Sequence, residues 1–386
     1  MSQKFPPFLF FTLLLFFSFQ NLQAQKPDVK LSLGKGLTVT AADSTVQVNI
    51  KGSFRTLYQG NTLLNNESDW SHNMIFQTVR LNMQGWAFNP KIRYQVQFGF
   101  APAESVGNEG NPGSSDILDA YLQWNFHPNM GVSFGQKRSP GSREFLTSLF
   151  SIGLTNRSLL HLNMNADRDM GIQFHSRFGS EKLIIKSMLE VSKGEGRNVL
   201  INNIGGLKYS ARLDLLPLGD FKDDFSFCDF NQYEKPKLAL GVALAYNQNA
   251  SRSRGQIGEF TGITTDLISV FGDFLFKYQG FTLLGEFVNK QSPSLDDNEE
   301  NIFGTGNSLN LHAGYVLGKK SELHLRYTLL DPDDTSSLIE QTVYTTGWVY
   351  YFHKHSFKVV SELSLIDQEG NDDLNLSPSI LLQLIF

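Results

Sequence analysis

The stretch Glu322-Leu323-His324-Leu325-Arg326-Tyr327-Thr328-Leu329 alternates a polar with an apolar side chain at every step. Side chains two apart share a strand face, so this stretch is a strand with one apolar and one polar side. The period recurs at Leu238, Leu240, Val242, Leu244 and Tyr246, opposite the small Ala239, Gly241, Ala243 and Ala245. Working outward, the alternation marks sixteen strands: 44–58, 74–88, 91–102, 115–126, 130–138, 168–178, 182–193, 204–217, 237–249, 263–279, 281–291, 308–318, 321–331, 339–353, 355–367 and 373–386. Their connections alternate in length. Short turns lie at Asn89-Pro90, His127-Pro128-Asn129, Gly179-Ser180, Gln279-Gly280, Gly318-Lys319-Lys320 and Lys354-His355, with long polar loops between them. An even number of amphipathic strands with short turns at one end and long loops at the other is the pattern of an all-β, transmembrane antiparallel barrel of about sixteen strands. Closure satisfies every backbone donor and acceptor in lipid.

Composition agrees. The 386 residues are 41% apolar and 12% aromatic, too aromatic for disorder, and no run beyond Gln25 approaches the roughly 20 apolar residues of a membrane helix. A net charge of -5 argues against nucleic acid as a partner, because such a binder needs a basic face. Lys4, the apolar run from Phe8 to Phe19 and the small Ala24 read as a signal peptide over 1–24. Residues 25–43 then form a short periplasmic N-terminal segment and 44–386 the barrel domain, exported to the outer membrane of a Gram-negative cell. The lone Cys228 excludes an internal disulfide framework.

Aromatic side chains collect at the short-turn ends of the strands: Trp86, Phe88, Trp124, Phe126, Phe276, Tyr278, Tyr350, Phe352 and Phe386 form the expected interfacial girdle. Trp86 shares parity with the inward Arg80, so a bulge near Gly85 is expected. Pro378 interrupts the last strand's donors. The segment from Leu218 to Pro236 is too long for a periplasmic turn and has no account at this level. A secreted β-sandwich or propeller is the soluble alternative, but sixteen consecutive hairpin-linked strands suit a sandwich poorly.

The leader, the sixteen strands, the terminal Phe386, Gly135-Gln136-Lys137-Arg138 closing the fifth strand and Asp167-Arg168-Asp169-Met170-Gly171 opening the sixth together resemble the phosphate-selective porin O and P family. The resemblance covers nearly the whole mature chain. It implies a trimeric outer-membrane porin whose water-filled pore passes phosphate and other small anions by passive diffusion.

The sign of the lumen can be read separately. Lys or Arg on the lipid face costs roughly 2 to 4 kcal/mol near the midplane, so strand charges belong inside. Parity places Lys51, Arg55, Arg80, Arg93, Lys137, Arg177, Lys186, Lys208 and Arg212 inward on the first eight strands, against Asp119, Glu190 and Asp214. The later eight offer Lys277, Arg326 and Lys358 against Asp273, Glu286, Glu322 and Glu362. Cross-strand ion pairing that neutralises this wall is the alternative. The loop 139–167 is rich in Phe and Leu, as a segment packed against something would be. The resemblance implies that it folds into the barrel and narrows it, although a cap over neighbouring loops stays open. The residues expected to line the anion path are Arg80, Arg93, Lys137, Arg138, Arg143, Arg157, Arg168 and Arg177. Acidic runs at 296–300 and 331–334 are ordinarily solvated, and no cofactor, metal or catalytic constellation stands out. A non-selective diffusion porin and a barrel with an adhesion or receptor role remain as alternatives.

Overall fold

The computed structural model describes residues 26–104, 116–199, 206–293 and 302–386. The apolar leader and the acidic run at 296–300 lie outside them. A hairpin of β1 (Asp28–Ser32) and β2 (Gly36–Thr40) precedes β3 (Val46–Leu63), β4 (Asn66–Ala87), β5 (Asn89–Gly99), β6 (Asp116–His127), β7 (Met130–Arg138), β8 (Arg168–Gly179), β9 (Ile184–Ser192) and β10 (Lys208–Leu216). Then follow β11 (Lys237–Arg252), β12 (Phe260–Tyr278), β13 (Phe281–Gln291), β14 (Gly306–Leu317), β15 (Ser321–Pro332), β16 (Gln341–His353), β17 (Phe357–Gln368) and β18 (Asn375–Ile385). From β3 onward each strand pairs antiparallel with the next, and β18 returns to β3 with Ile385 opposite Ser53 and Asn375 opposite Leu63. The result is a closed sixteen-strand barrel. Among the described residues no helix is long and apolar enough to cross a membrane; the crossings are strands.

The outward positions are the apolar ones, as alternation requires. Leu323 and Leu325 are exposed on the outer face while Glu322, His324 and Arg326 are buried inside. Trp124, Phe126, Tyr278, Phe352 and Phe386 lie exposed at the short-turn end, where an amphipathic ring sits at the headgroup level. A shallow apolar concavity of about 870 Å³ on the outer wall, lined by Phe174, Leu189, Leu244 and Ile268, belongs to this lipid-facing surface and not to the lumen.

Four details differ from the sequence expectation or resolve it. The first outer connection, expected over 59–73, is a tight turn, because β3 and β4 continue to Leu63 and Asn66. The expected bulge near Gly85 is absent at that residue: β4 and β5 stay in register from Arg80 opposite Gly99 to Trp86 opposite Arg93, and the irregularity comes after Trp86. Trp86 therefore keeps the parity of Arg80 and lines the periplasmic mouth, outside the girdle. The hairpin β1–β2 extends the β18 edge of β3, pairing Leu37 through Thr40 with Ile50 through Gln47. At Pro378, which has no N–H to give, the Ser377 hydroxyl donates to the Gly60 carbonyl across the seam at 3.1 Å.

Candidate functional site

The lumen is filled from both ends. From the outer side the loop 139–167 enters as a chain of short turns: α1 (Arg143–Leu146), a 3-10 turn (Leu149–Ser151) and α2 (Leu159–Met164). A serine precedes each, and the hydroxyls of Ser142, Ser148 and Ser158 accept from the Phe145, Phe150 and His161 N–H groups, which would otherwise be orphaned. The wall grips the loop's backbone. Arg55 donates to the Leu154 and Thr155 carbonyls, Lys358 to Ile152 and Gln383 to Phe150, while Glu362 accepts from the Thr155 N–H and hydroxyl. Leu160 and Met164 pack on Ala243, Ala245, Phe271, Val288 and Leu330, so the loop is an inward constriction and not a cap.

From the periplasmic side the segment 217–236, which the sequence left without an account, folds up into the same lumen. Phe221 and Phe227 pack on Ile184, Leu216, Ala239, Leu275 and Leu284, and Cys228 joins Val316, Val349, Tyr351 and Val360. The Phe227 ring lies 3.7 Å from the His312 ring, centroid to centroid. Gly314 makes room, since a Cβ there would sit 2.7 Å from the Phe227 ring. The two insertions meet where the Phe227 N–H donates to the Ser151 carbonyl at 3.2 Å and Arg143 donates to the Asp224 carbonyl at 3.0 Å. Together they occupy the side of the lumen under β9 to β18.

The opposite side, along β3 to β8, keeps two cavities. The lower one, about 380 Å³, is lined by Gln47, Asn49, Gln84, Trp86, Arg93 and Tyr121 at the periplasmic mouth. The upper one, about 240 Å³, lies between the wall and the inward loop and is bordered by Arg80, Arg157, Arg168 and Arg197.

The eight cations expected to line the path fall into three groups. Arg80, Arg168 and Arg157 border the upper cavity, Arg138 lies over the Phe145 ring that also lines it, and Lys137 lies over the Tyr121 ring that lines the lower one. Arg93 sits exposed at the periplasmic mouth, donating to the Pro90 carbonyl. Arg143 and Arg177 are elsewhere: Arg143 is buried against Asp214 at 2.5 Å and Asp273 at 2.7 Å, and Arg177 pairs with Asp220 at 2.6 Å on the exposed periplasmic rim. Arg212 holds the same Asp214 and Asp273 at 2.6 Å each, so two cations and two acids cancel in the filled half.

The partners of the remaining cations decide the sign of the open half. Arg80 pairs with Glu104 at 2.5 Å, Arg168 with Asp119 at 2.9 Å and Arg197 with Asp167 at 2.8 Å. Those three cancel. Arg138 instead donates to the Phe145, Leu146 and Thr147 carbonyls, and Arg157 to the Glu144, Phe145 and Thr147 carbonyls at the end of α1. Lys137 donates to the Ser133 hydroxyl over the Tyr121 ring, and Arg55 to the two loop carbonyls already named. These four form no ion pair among the described residues, and a carbonyl dipole solvates a cation without removing its charge. His161, on α2 beside this cluster, is held well below the ordinary imidazole range by burial and then by Arg157, Arg138 and Arg168, so it adds no charge at neutral pH. Glu104 and Arg197 reach the site from loops and escaped the sequence reading, because strand parity cannot place a loop residue.

Residues 45–199 match the family model described as phosphate-selective porin O and P. No curated protein matches the chain by sequence. Solved structures with the same fold include an anion-selective porin from Comamonas acidovorans, 13% identical over 88% of this chain and 100% of that one, with a TM-score of 0.59. The outer-membrane channel DcaP of Acinetobacter baumannii is 13% identical, covering 90% of this chain and 99% of its own, at a TM-score of 0.58. A loop-deleted OmpT of Vibrio cholerae is 13% identical over 88% and 99%, at 0.56. At such identities the likeness is one of fold, and family and fold together point to a channel of the outer membrane. Residues 45–199 thus carry the pattern of the phosphate-selective porin O and P family model, and as a whole the chain has the fold of the outer-membrane porins.

Proposed function

We propose that this porin passes small anions, phosphate among them, by passive diffusion along the β3–β8 side of its lumen. The observation that carries the reading is the set of four cations, Arg55, Lys137, Arg138 and Arg157, whose partners are carbonyls and hydroxyls; they outnumber Glu144 and Glu362, the carboxylates on the inward loop and its wall that Ser158 and Thr155 hold, and Arg157 borders the upper cavity. A unit charge pair at 4 Å is worth about 1 kcal/mol in water and about 4 at an effective dielectric of 20, so such charges select only where the path is narrow. A basic wall in a narrow zone replaces part of an anion's hydration and repels cations. In a planar bilayer under a salt gradient, Lys137→Gln with Arg157→Gln should move the reversal potential toward cations. A wild type without anion preference, or a double variant identical to it, makes a general diffusion pore the better reading.

The mature protein, in this reading, begins at Gln25 after removal of residues 1–24 and assembles as a homotrimer in the outer membrane. A native mass measurement in mild detergent checks both points, and a monomer or a retained Met1 would remove the corresponding claim.

A further inference from the structure

We propose that the segment 217–236 is a selectivity-determining wedge: it shuts the β9–β16 side of the lumen from the periplasmic end and braces the inward loop, leaving ions only the basic β3–β8 face. The proposal rests on the reading of the protein as an ion-conducting pore.

Three observations support it. The other connections at this end span a handful of residues, such as 279–280 and 318–320, whereas this one runs from 217 to 236 and turns inward. The wall beneath it is built for an apolar occupant, because Leu216, Leu275 and Leu284 point into a lumen that would otherwise hold water, and the segment supplies Phe221 and Phe227 to cover them. Its polar anchors are equally specific. Lys277 donates to the Asp223 carbonyl and carboxylate and to the Cys228 carbonyl, and Lys186 pairs with Asp224 at 2.7 Å.

The consequence for permeation is twofold. Asp223 and Asp224 pair with two wall cations, so no basic path can form on that side while the wedge is seated. The contacts of Phe227 with Ser151, and of Arg143 with the Asp224 carbonyl and the Phe225 ring at 5.0 Å, also hold the loop that bears Arg157 against the open side. With the wedge displaced, a wider route would open through the filled half and the loop would lose its brace.

The test uses the full chain in planar bilayers with Phe227→Ala combined with Phe230→Ala, Phe230 being the wedge ring that stands edge-on to Tyr351 at 4.7 Å between centroids, and Lys319→Gln in the exposed turn 318–320 as control. Cys228, on the wedge itself and buried at 1% exposure against the wall, is a native reporter for a small charged thiol reagent. Conductance should rise about two-fold or more and the anion-to-cation permeability ratio should fall toward one, because a wider path screens the wall charges. Cys228 should be modified about tenfold faster, since its reactivity follows access. The control should match wild type in all three. A merely structural segment would change stability and leave the selectivity of folded channels intact, so a folded double variant with wild-type conductance, ratio and labelling rate overturns the proposal. If the double variant does not assemble, Phe227→Leu must show a smaller shift in the same direction, and wild-type values there also overturn it. Wild type and variant both without current would refute the pore reading itself, whereas a conducting wild type matched by its variants refutes only the wedge.

Discussion

A cation in this lumen is silent or effective according to what its nitrogens touch. Arg80, Arg168 and Arg197 face carboxylates, and a passing ion meets a neutral pair. Arg138 and Arg157 face backbone carbonyls, and the ion meets a charge. Residue type and strand parity cannot separate the two cases, since Arg143 and Arg157 lie on the same loop with the same side chain. Arg143 is a pin: it joins Asp214, Asp273 and the Asp224 carbonyl at 1% exposure. Removing one partner of a buried pair costs about 3 to 5 kcal/mol, and the low end applies because Arg212 still serves both carboxylates. Arg143→Met should therefore lower unfolding stability by about 3 kcal/mol, read from the guanidinium midpoint of the detergent-solubilised barrel. An unchanged midpoint would mean the pin contributes nothing.

At the scale of elements, what was legible followed from period two. Strands such as β13 and β7 stand where alternation put them, because a lipid-facing position tolerates little but apolar side chains. What escaped has no such period. The hairpin β1–β2 is too short to show one, and the wedge is an irregular segment whose partners lie far off in sequence. Its signal was nonetheless present: Leu275 and Leu284 fall on inward parity, and an apolar residue facing a water-filled lumen announces an occupant. The candidate site was legible in its basic residues and not in their neutralisation, which depends on loop carboxylates such as Glu104. Pro378 shows how an element absorbs a flaw read correctly from sequence. Its missing donor is replaced by the Ser377 hydroxyl on the Gly60 carbonyl, at the seam that closes the barrel. Leaving a buried acceptor unpaired costs about 1 to 3 kcal/mol, so Ser377→Ala should destabilise by that amount while Pro378→Ala is tolerated. Urea titration of the two variants decides it, and equal stability would show that the seam does not need the hydroxyl.

For the whole molecule, net charge and path charge have opposite signs. The chain carries -5, yet the open side of its lumen is bordered by cations without carboxylate partners. The resolution is local: in the filled half Arg143 and Arg212 pair with Asp214 and Asp273, and Lys277 with Asp223, whereas Arg157, held by carbonyls, borders the upper cavity of the open half. Anion preference must then arise at short range, within the upper cavity of about 240 Å³, and not from the field of the molecule as a whole. Salt discriminates between these origins. The Debye length falls from about 10 Å at 0.1 M to about 3 Å at 1 M, which removes contributions from distant charges and weakens those across a wet cavity. The wild-type permeability ratio should therefore shrink as salt rises without vanishing, because Arg138 and Arg157 stand at the wall of the narrow zone itself. Lys137→Gln with Arg157→Gln should flatten that dependence toward the ratio expected from ionic mobilities alone. A preference that disappears entirely by 0.3 M, where the Debye length is still about 6 Å, would place its source in remote surface charge and sink the short-range account.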